Sequence, residues 1–387
     1  MRALACGVGF LLVVGGLAWG APIPSDLLGW KVQYMVDQSQ TVLEGTPLER
    51  DQWLHPRANR GLALSPDRQY LYAGYNYPND HPEVRRIDLG EADYVDATVG
   101  RLPDHYGKAI ATDDVGRVYL AEGPSIQVYS ADLTTQLFVM TDAGYGFARC
   151  DGVAVAREGG TLALYGTDRD NQTLTRWTLT ESGGGISAAT QAGLDGDGRI
   201  TVAGAADLRG VELDPFGRIW MADIDADLVF RVNGDGTGLV SAAVADAIDV
   251  GMDDGQVFVT QYLNRTITVL DADDLSFIRL LTPTWGALWL DPDGSPLHAY
   301  GAAALGGIAV IPGQTFYVAN QGGQTIGERS TYGRDDEFSG FVGGQWYTAL
   351  THDDNDPILT VEIVPEPATL VLLALGALPL LRRRKEE

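Results

Sequence analysis

Val211-Glu-Leu-Asp-Pro-Phe-Gly-Arg-Ile-Trp-Met-Ala222 is the stretch from which the architecture of this chain can be read. Val211 to Leu213 alternates apolar and polar residues, the period of a half-buried strand. Asp214-Pro215-Phe216-Gly217 carries turn chemistry, with Pro presetting one φ and Gly tolerating a positive one. Ile219 to Ala222 then runs apolar with an aromatic inside it, which predicts a second strand. Beyond it, Asp223 to Asp227 reads as a polar loop and Leu228-Val-Phe-Arg-Val232 as a third strand. Asn233-Gly-Asp-Gly236 turns the chain again, and Leu239-Val240 opens a short fourth strand.

The same pattern recurs along the body of the chain. Copies begin at Leu62, Ile110, Val153, Ile248, Leu288 and Ile308, besides Val211. Up to Leu288, successive copies start at intervals of roughly 37 to 58 residues, close to the ~40–45 residues of a four-stranded propeller blade. The step from Leu288 to Ile308 is too short for a blade, so one of those two copies is read as the second hairpin of its blade. The expectation is an all-β fold, a six- or seven-bladed β-propeller spanning residues 21–364. Trp30 to Val36, Trp346 to Leu350 and Ile358 to Val364 also read as strands. Ring closure therefore predicts one blade that mixes strands from both ends of the chain. Gly322 to Gly344, rich in Gly and charge, is expected to be a long loop. Between the termini no segment sustains a 3.6-residue period, so helices should be few.

Individual repeats resemble known propeller families. Val257-Phe-Val-Thr-Gln-Tyr-Leu-Asn-Arg-Thr-Ile-Thr-Val-Leu-Asp271 is similar to YVTN repeats, Val211 to Asp223 to NHL-type repeats, and Val229 to Thr237 to the exit of YWTD-type blades. Each likeness is one blade long. It implies a propeller and leaves the function open, because propellers host enzymes and binding scaffolds alike.

Composition narrows the classes. Of 387 residues, 45% are hydrophobic, enough for a substantial core, and the 48 Gly and 18 Pro follow no collagen-like triplet. The net charge of −25 argues against nucleic acid, whose phosphates require clustered Lys and Arg. Such acidity suits solubility and cation binding.

Both termini carry address signals. Arg2, an apolar run from Leu4 to Leu17, and Ala18-Trp19-Gly20 before Ala21 form a secretory signal peptide over residues 1–20. It would engage the Sec translocon and signal peptidase. Cys6 precedes most of the apolar run, the wrong place for a lipid-modified cysteine. Once the signal is removed Cys150 stands alone, so no intramolecular disulfide can form, and a buried inert thiol is the expected state. At the other end Pro365-Glu366-Pro367 is followed by an apolar run from Ala368 to Leu381 and then by Arg382, Arg383, Arg384 and Lys385. As a helix the run would reach only about 21 Å, short of the ~30 Å hydrocarbon core, with its basic end on the cytoplasmic side.

Residues 365–387 thus resemble the PEP-CTERM sorting signal of Gram-negative bacteria. The resemblance implies recognition of Pro365, Glu366 and Pro367 by exosortase, a membrane protease. It further implies transient inner-membrane anchoring, then sorting to the cell surface or an extracellular polymer matrix with removal of the tail.

The sequence carries none of the common catalytic motifs. His55, His81, His105, His298 and His352 show no metal-ligand spacing, and neither a Gly-x-Ser-x-Gly elbow nor a phosphate-binding Gly loop occurs. Asp195-Gly-Asp197-Gly resembles part of a calcium loop, which makes Asp195 and Asp197 the candidate metal ligands and calcium the candidate cofactor. Placing them at positions 3 and 5 of an EF-hand-like loop puts Gly193 and Gly204 where ligands are required, so a plain turn is preferred. Asp253-Asp254 and Asp353 to Asp356 likewise read as solvated turns. The expectation is a non-enzymatic, surface-sorted propeller that binds an extracellular polysaccharide or an envelope protein. The rival is a secreted propeller lyase or hydrolase acting on a polysaccharide or lactone. A purely structural matrix protein comes third.

Overall fold

The computed structural model describes residues 23–24, 30–34, 61–74, 83–89, 98–253, 255–264, 266–281, 284–287, 299–301, 304–311, 315–321, 337–342, 345–350 and 358–363. The signal peptide and the Pro-Glu-Pro tail lie outside these residues. So do His55, His81, His298, His352, the Leu288 copy up to Leu297, and Asp353 to Asp356. No helix among the described residues is long and apolar enough to cross a membrane.

The chain is a β-propeller. Strands β1 (Ile23–Pro24) and β2 (Trp30–Tyr34) come first in sequence. Blade one is then β3 (Leu62–Leu64), β4 (Tyr70–Gly74), β5 (Glu83–Asp88) and β6 (Thr98–Pro103). Blade two is β7 (Ala109–Thr112), β8 (Val118–Ala121), β9 (Ser125–Tyr129) and β10 (Gln136–Thr141). A single helical turn, α1 (Asp142–Tyr145), leads on. Blade three is β11 (Cys150–Glu158), β12 (Thr161–Asp168), β13 (Thr173–Ser182) and β14 (Gly185–Gln191), with β15 (Arg199–Thr201) added to β13. Blade four is β16 (Leu208–Leu213), β17 (Ile219–Asp223), β18 (Leu228–Val232) and β19 (Val240–Ala243). Blade five is β20 (Ala247–Asp253), β21 (Gln256–Gln261), β22 (Thr266–Asp271) and β23 (Phe277–Leu281). In each blade the strands pair antiparallel in sequence order.

A short pair follows, β24 (Thr284–Ala287) with β25 (Ala299–Gly301), and then β26 (Ala304–Ile311) and β27 (Thr315–Gln321). The chain continues through the hairpin of β28 (Glu337–Val342) and β29 (Gln345–Leu350) to β30 (Ile358–Ile363). One sheet has the order β1-β2-β30-β27-β26 and so takes strands from both ends of the chain, as ring closure requires.

Two expectations are corrected. The blades built from consecutive strands number five among the described residues, against the six or seven predicted. The copies at Leu62, Ile110, Val153, Val211 and Ile248 each found one blade, whereas the Ile308 copy supplies β26 and β27 of the closing sheet. The second correction concerns Gly322 to Gly344, within which Glu337–Val342 is not loop. It is a strand paired antiparallel with Gln345–Leu350.

The core lies between sheets rather than within one mass. Tyr72 and Val84 of blade one pack with Ile110, Val118 and Leu120 of blade two. Tyr119, Ile126 and Met140 meet Val153, Leu164 and Trp177 of blade three. Tyr165 and Leu174 meet Leu208, Met221 and Phe230 of blade four, and Trp220 and Val229 meet Val250, Val257 and Val259 of blade five. Ala309, Ile311 and Tyr317 of the closing sheet pack on Leu62, Leu71 and Ile87. The apolar faces of the inner strands are therefore covered by the neighbouring sheet, at about 25 cal/mol per Å² of apolar surface removed from water, while Phe277, Ile278 and Leu280 on the outer strand of blade five stay exposed.

Polar contacts fix the spacing of the first strands. Thr167 Oγ1 donates to the carbonyl of Arg209 in the next blade, and Thr260 Oγ1 to the carbonyl of Gly306. A Cβ at Gly152 would run into Arg209 O and Thr167 Oγ1, and one at Gly210 into Asp249. These two glycines let adjacent first strands approach closely at the axis.

Candidate functional site

The turn before each first strand, and the turn between the second and third strands, lie at one end of the barrel of first strands. Here the backbones of neighbouring blades join: Cys150 N donates to Gly123 O at 2.7 Å, and Leu305 N to Tyr262 O at 3.1 Å. The charged side chains converge at this axial mouth.

Lys108 stands just before β7, Asp151 opens β11 beside Arg149, and Asp207 and Arg209 flank the start of β16. Arg169 follows β12. Asp151 is 1% exposed at its side chain and faces four cations. Lys108 Nζ lies 3.3 Å away, Arg209 Nη1 2.8 Å, Arg149 Nε 3.2 Å and Arg169 Nη1 3.9 Å. Asp207 is buried alongside. Its Oδ2 accepts from Arg209 Nη2 and pairs with Arg169 Nη2, both at 2.8 Å. Arg209 Nε sits 2.7 Å from Asp207 Oδ1 as an ion pair whose bent geometry is not a hydrogen bond. Burial pushes the Asp207 carboxyl up, against the pull of Arg209 and Arg169. The carboxylates thus form the floor and the cations the rim, with Arg149 35% and Arg169 28% exposed at their side chains.

The floor is held rigidly from behind. Asp168, also buried, accepts from the backbone N–H groups of Ala148 and Arg149 and from Asn171 Nδ2, which fixes the loop that carries Arg149. Asp223 does the same in blade four, accepting from Ala206 N and Asp207 N. Both Asp residues end a second strand, so one local device positions the rim twice.

Below the rim, Lys108, Asp151, Arg209, Gly210, Ile248 and Asp249 enclose a cavity of about 20 Å³, room for one water. Glu212 and Asp249 lie among the first strands here. Each carboxyl is pushed up to about 7 by burial. Asp249 Oδ2 accepts from Ile308 N at 3.0 Å and Glu212 Oε1 from Leu213 N at 3.0 Å. Asp249 lines the cavity, and protein atoms surround both carboxyls closely, so that they are half-buried by exposed area yet strongly desolvated. Perturbed carboxyls in a cleft mark a functional region, but this cleft is too narrow for a substrate.

Other features do not converge on chemistry. His105 pairs through Nδ1 with Glu122 Oε1 at 2.9 Å, and its Nε2 stands 3.0 Å from the Tyr129 hydroxyl, so both ring nitrogens are engaged. A larger hollow of about 660 Å³ opens between the outer strands of blades four and five, lined largely by Ala, Leu and Thr. Its Gln261 is already spent on Ala245 O, Thr266 and Thr268. Cys150 is buried, its Sγ donating to Gly152 O, and burial raises its thiol far above the ordinary range.

Asp195 and Asp197 sit on an exposed turn at the outer edge of blade three. Asp195 N donates to Asp235 O, and Asp197 Oδ1 accepts from Arg199 N. No group of three or more His, Cys, Asp or Glu able to hold a metal exists among the described residues. The mouth residues were missed from sequence because each is a lone charge in its own repeat. A signal was present: Lys108, Asp151 and Arg209 each stand two residues before the first apolar residue of a copy. The second position of a copy, Ala at 63, 111, 154 and 309, is Glu212 and Asp249 in two adjacent copies.

Among solved structures, the chain resembles a protein of unknown function from Bacteroides thetaiotaomicron, with 13% identity, TM-score 0.52, and 87% of this chain and 76% of that chain covered. It also resembles a chain in the nidogen/laminin complex, with 15% identity, TM-score 0.46, and 68% of this chain and 92% of that chain covered. The former supports the fold alone. No protein-family model matches the sequence, and no curated protein does.

Proposed function

We propose that the protein is an exported, surface- or matrix-sorted propeller that acts as a binding scaffold, and that its axial mouth takes acidic groups of an extracellular polysaccharide. One observation carries the reading. In a chain of net charge −25, four cationic side chains gather over two buried carboxylates at one point of the surface. Arg groups with an exposed fork suit carboxylate and sulfate ligands. The carboxylates below hold the cations in place without covering their outer sides. Since the cavity beneath admits about one water, the ligand rests on the rim and is not drawn in for reaction. That favours binding over the lyase or hydrolase alternative. The signal peptide and the Pro-Glu-Pro tail support the extracellular setting, with exosortase the processing partner by resemblance.

The test is calorimetric titration of the protein with a polyuronate and with a neutral glucan of equal length. Binding of the polyuronate alone, weakened by salt and lost in the double variant Arg149→Ala/Arg169→Ala, supports the proposal. Equal binding of both polymers, or none of either, refutes it.

A further inference from the structure

We infer that Tyr106 is a stacking platform at the mouth, and that the site reads two adjoining sugars: an acidic unit on the cationic rim and a neutral unit against the Tyr106 ring. The inference rests on the proposed reading of the mouth as a polysaccharide site.

Residues 104–108 join β6, the outer strand of blade one, to β7, the first strand of blade two. This loop therefore crosses the mouth face inwards and delivers Lys108 to the rim. Tyr106 stands two residues outward of Lys108, at most about 7 Å along the backbone. It is 41% exposed. Of the other exposed aromatic residues, Phe216 lies on a turn at the opposite end and Phe277 on the outer strand of blade five. Among the described residues Tyr106 is thus the exposed aromatic of the mouth.

The loop is pinned on both sides of that ring. His105 Nδ1 lies 2.9 Å from Glu122 Oε1 and Nε2 3.0 Å from the Tyr129 hydroxyl, and the imidazole meets the Tyr129 ring edge-on at 5.5 Å. Gly107 has a φ of +47°, and a Cβ there would strike Gly74 and Val84, so the chain packs down onto blade one. Lys108 is tied to Asp151. An aromatic side chain with two χ angles, carried on a fixed loop, loses little entropy when a ligand covers it. A pyranose has hydroxyls around its edge and C–H groups on its faces. The exposed Tyr106 ring can bury such a face while its hydroxyl stays in water. Asp104, exposed at the outer start of the loop, disfavours a second carboxylate there. The stacked unit is therefore a neutral sugar, and the ligand class is an acidic heteropolysaccharide in which uronates adjoin neutral units.

The experiment is calorimetric titration of the full chain with two oligosaccharides of equal length, one alternating glucuronate with N-acetylglucosamine and one of galacturonate throughout. The parent should bind the alternating oligomer several-fold more tightly. Tyr106→Ala should weaken that binding on the order of tenfold and remove the preference. Its salt dependence should match the parent's, because no charge is lost. Tyr106→Phe keeps the ring and should bind as the parent does. Unchanged affinity in Tyr106→Ala overturns the platform, and an equal or reversed preference in the parent overturns the neutral unit. In both cases salt-sensitive binding that is lost in Arg149→Ala/Arg169→Ala leaves the reading of the mouth standing. Absence of salt-sensitive binding to either oligomer overturns that reading and this inference with it.

Discussion

The Tyr119 hydroxyl donates a 2.9 Å hydrogen bond to Asp113 Oδ2, inside the turn that joins the first two strands of blade two. Asp113 also accepts from Val115 N, Arg117 N and Arg117 Nε. Blade four repeats the device: Asp214 accepts from Phe216 N, Arg218 N, Arg218 Nε and Trp220 Nε1. One carboxylate closes the turn, neutralises an Arg, and satisfies the polar tip of a buried aromatic. The Arg then reaches the next blade, Arg117 to Glu181 and Arg218 to Asp273.

Removing the carboxylate should cost far more than removing the hydroxyl. Asp113→Ala leaves Arg117, 5% exposed at its side chain, without its nearest counter-charge, and a loss on the order of 3–5 kcal/mol is expected. Tyr119→Phe deletes one neutral donor and leaves Asp113 its other partners, so about 1 kcal/mol is expected. Urea unfolding midpoints of the two variants check the order. Equal losses would mean that the Arg117 pair contributes little.

Stability should fall as pH rises through neutrality. Glu212 and Asp249 titrate near 4.5 and 3.8 when unperturbed and are pushed up to about 7 by burial. The folded state then holds protons that the unfolded chain has released. Their contribution is complete below about pH 4 and lost as pH passes 7. Glu181 works in the opposite sense, held down to about 2 by Arg157 and Arg117, and its contribution disappears in acid. The double variant Glu212→Gln/Asp249→Asn should flatten the decline above pH 5, gaining a few kcal/mol over the parent at pH 8 as an order of magnitude. Thermal melts across pH 4 to 9 test this, and parallel curves for the two proteins would contradict it.

The glycines at the axis should be intolerant. Gly152→Ala and Gly210→Ala each drive a Cβ into backbone or side-chain atoms of the next blade, whereas Gly144→Ala meets nothing within 4 Å. The first two should destabilise by roughly 1–3 kcal/mol or more, the range for overpacking, and the third by almost nothing. Comparison of denaturant midpoints checks this.

Local chemistry explains how much could be read in advance. The hairpins were legible because Asp214-Pro-Phe-Gly and its counterparts encode turn and strand within a dozen residues. The mixing of chain ends was legible because Trp30 to Val36 and Ile358 to Val364 were strands without partners nearby. Asp151 was not legible as a site: it gains its meaning only when Lys108 and Arg209, from blades on either side, are brought onto it by ring closure. The hairpin at Phe338 to Tyr347 was missed because Gly-rich, charged sequence conceals alternation. The blade count went astray where repeats of unequal length, Leu288 and Ile308, competed for one place.

The sharpest consequence of the mouth's layout concerns Asp151 itself. Asp151→Asn removes the buried charge that Lys108, Arg149 and Arg209 share, so the rim cations repel one another and the protein should lose stability, on the order of 3–5 kcal/mol. An added anion can replace the missing charge only if the rim is open to it. Sulfate or polyuronate should therefore raise the melting temperature of Asp151→Asn more than that of the parent, and the variant should bind polyuronate more tightly. Differential scanning fluorimetry with chloride as the reference salt measures the difference. Identical shifts in both proteins would mean that the cations are closed off by their own carboxylates, and the mouth would then be a structural ion cluster with no role in binding.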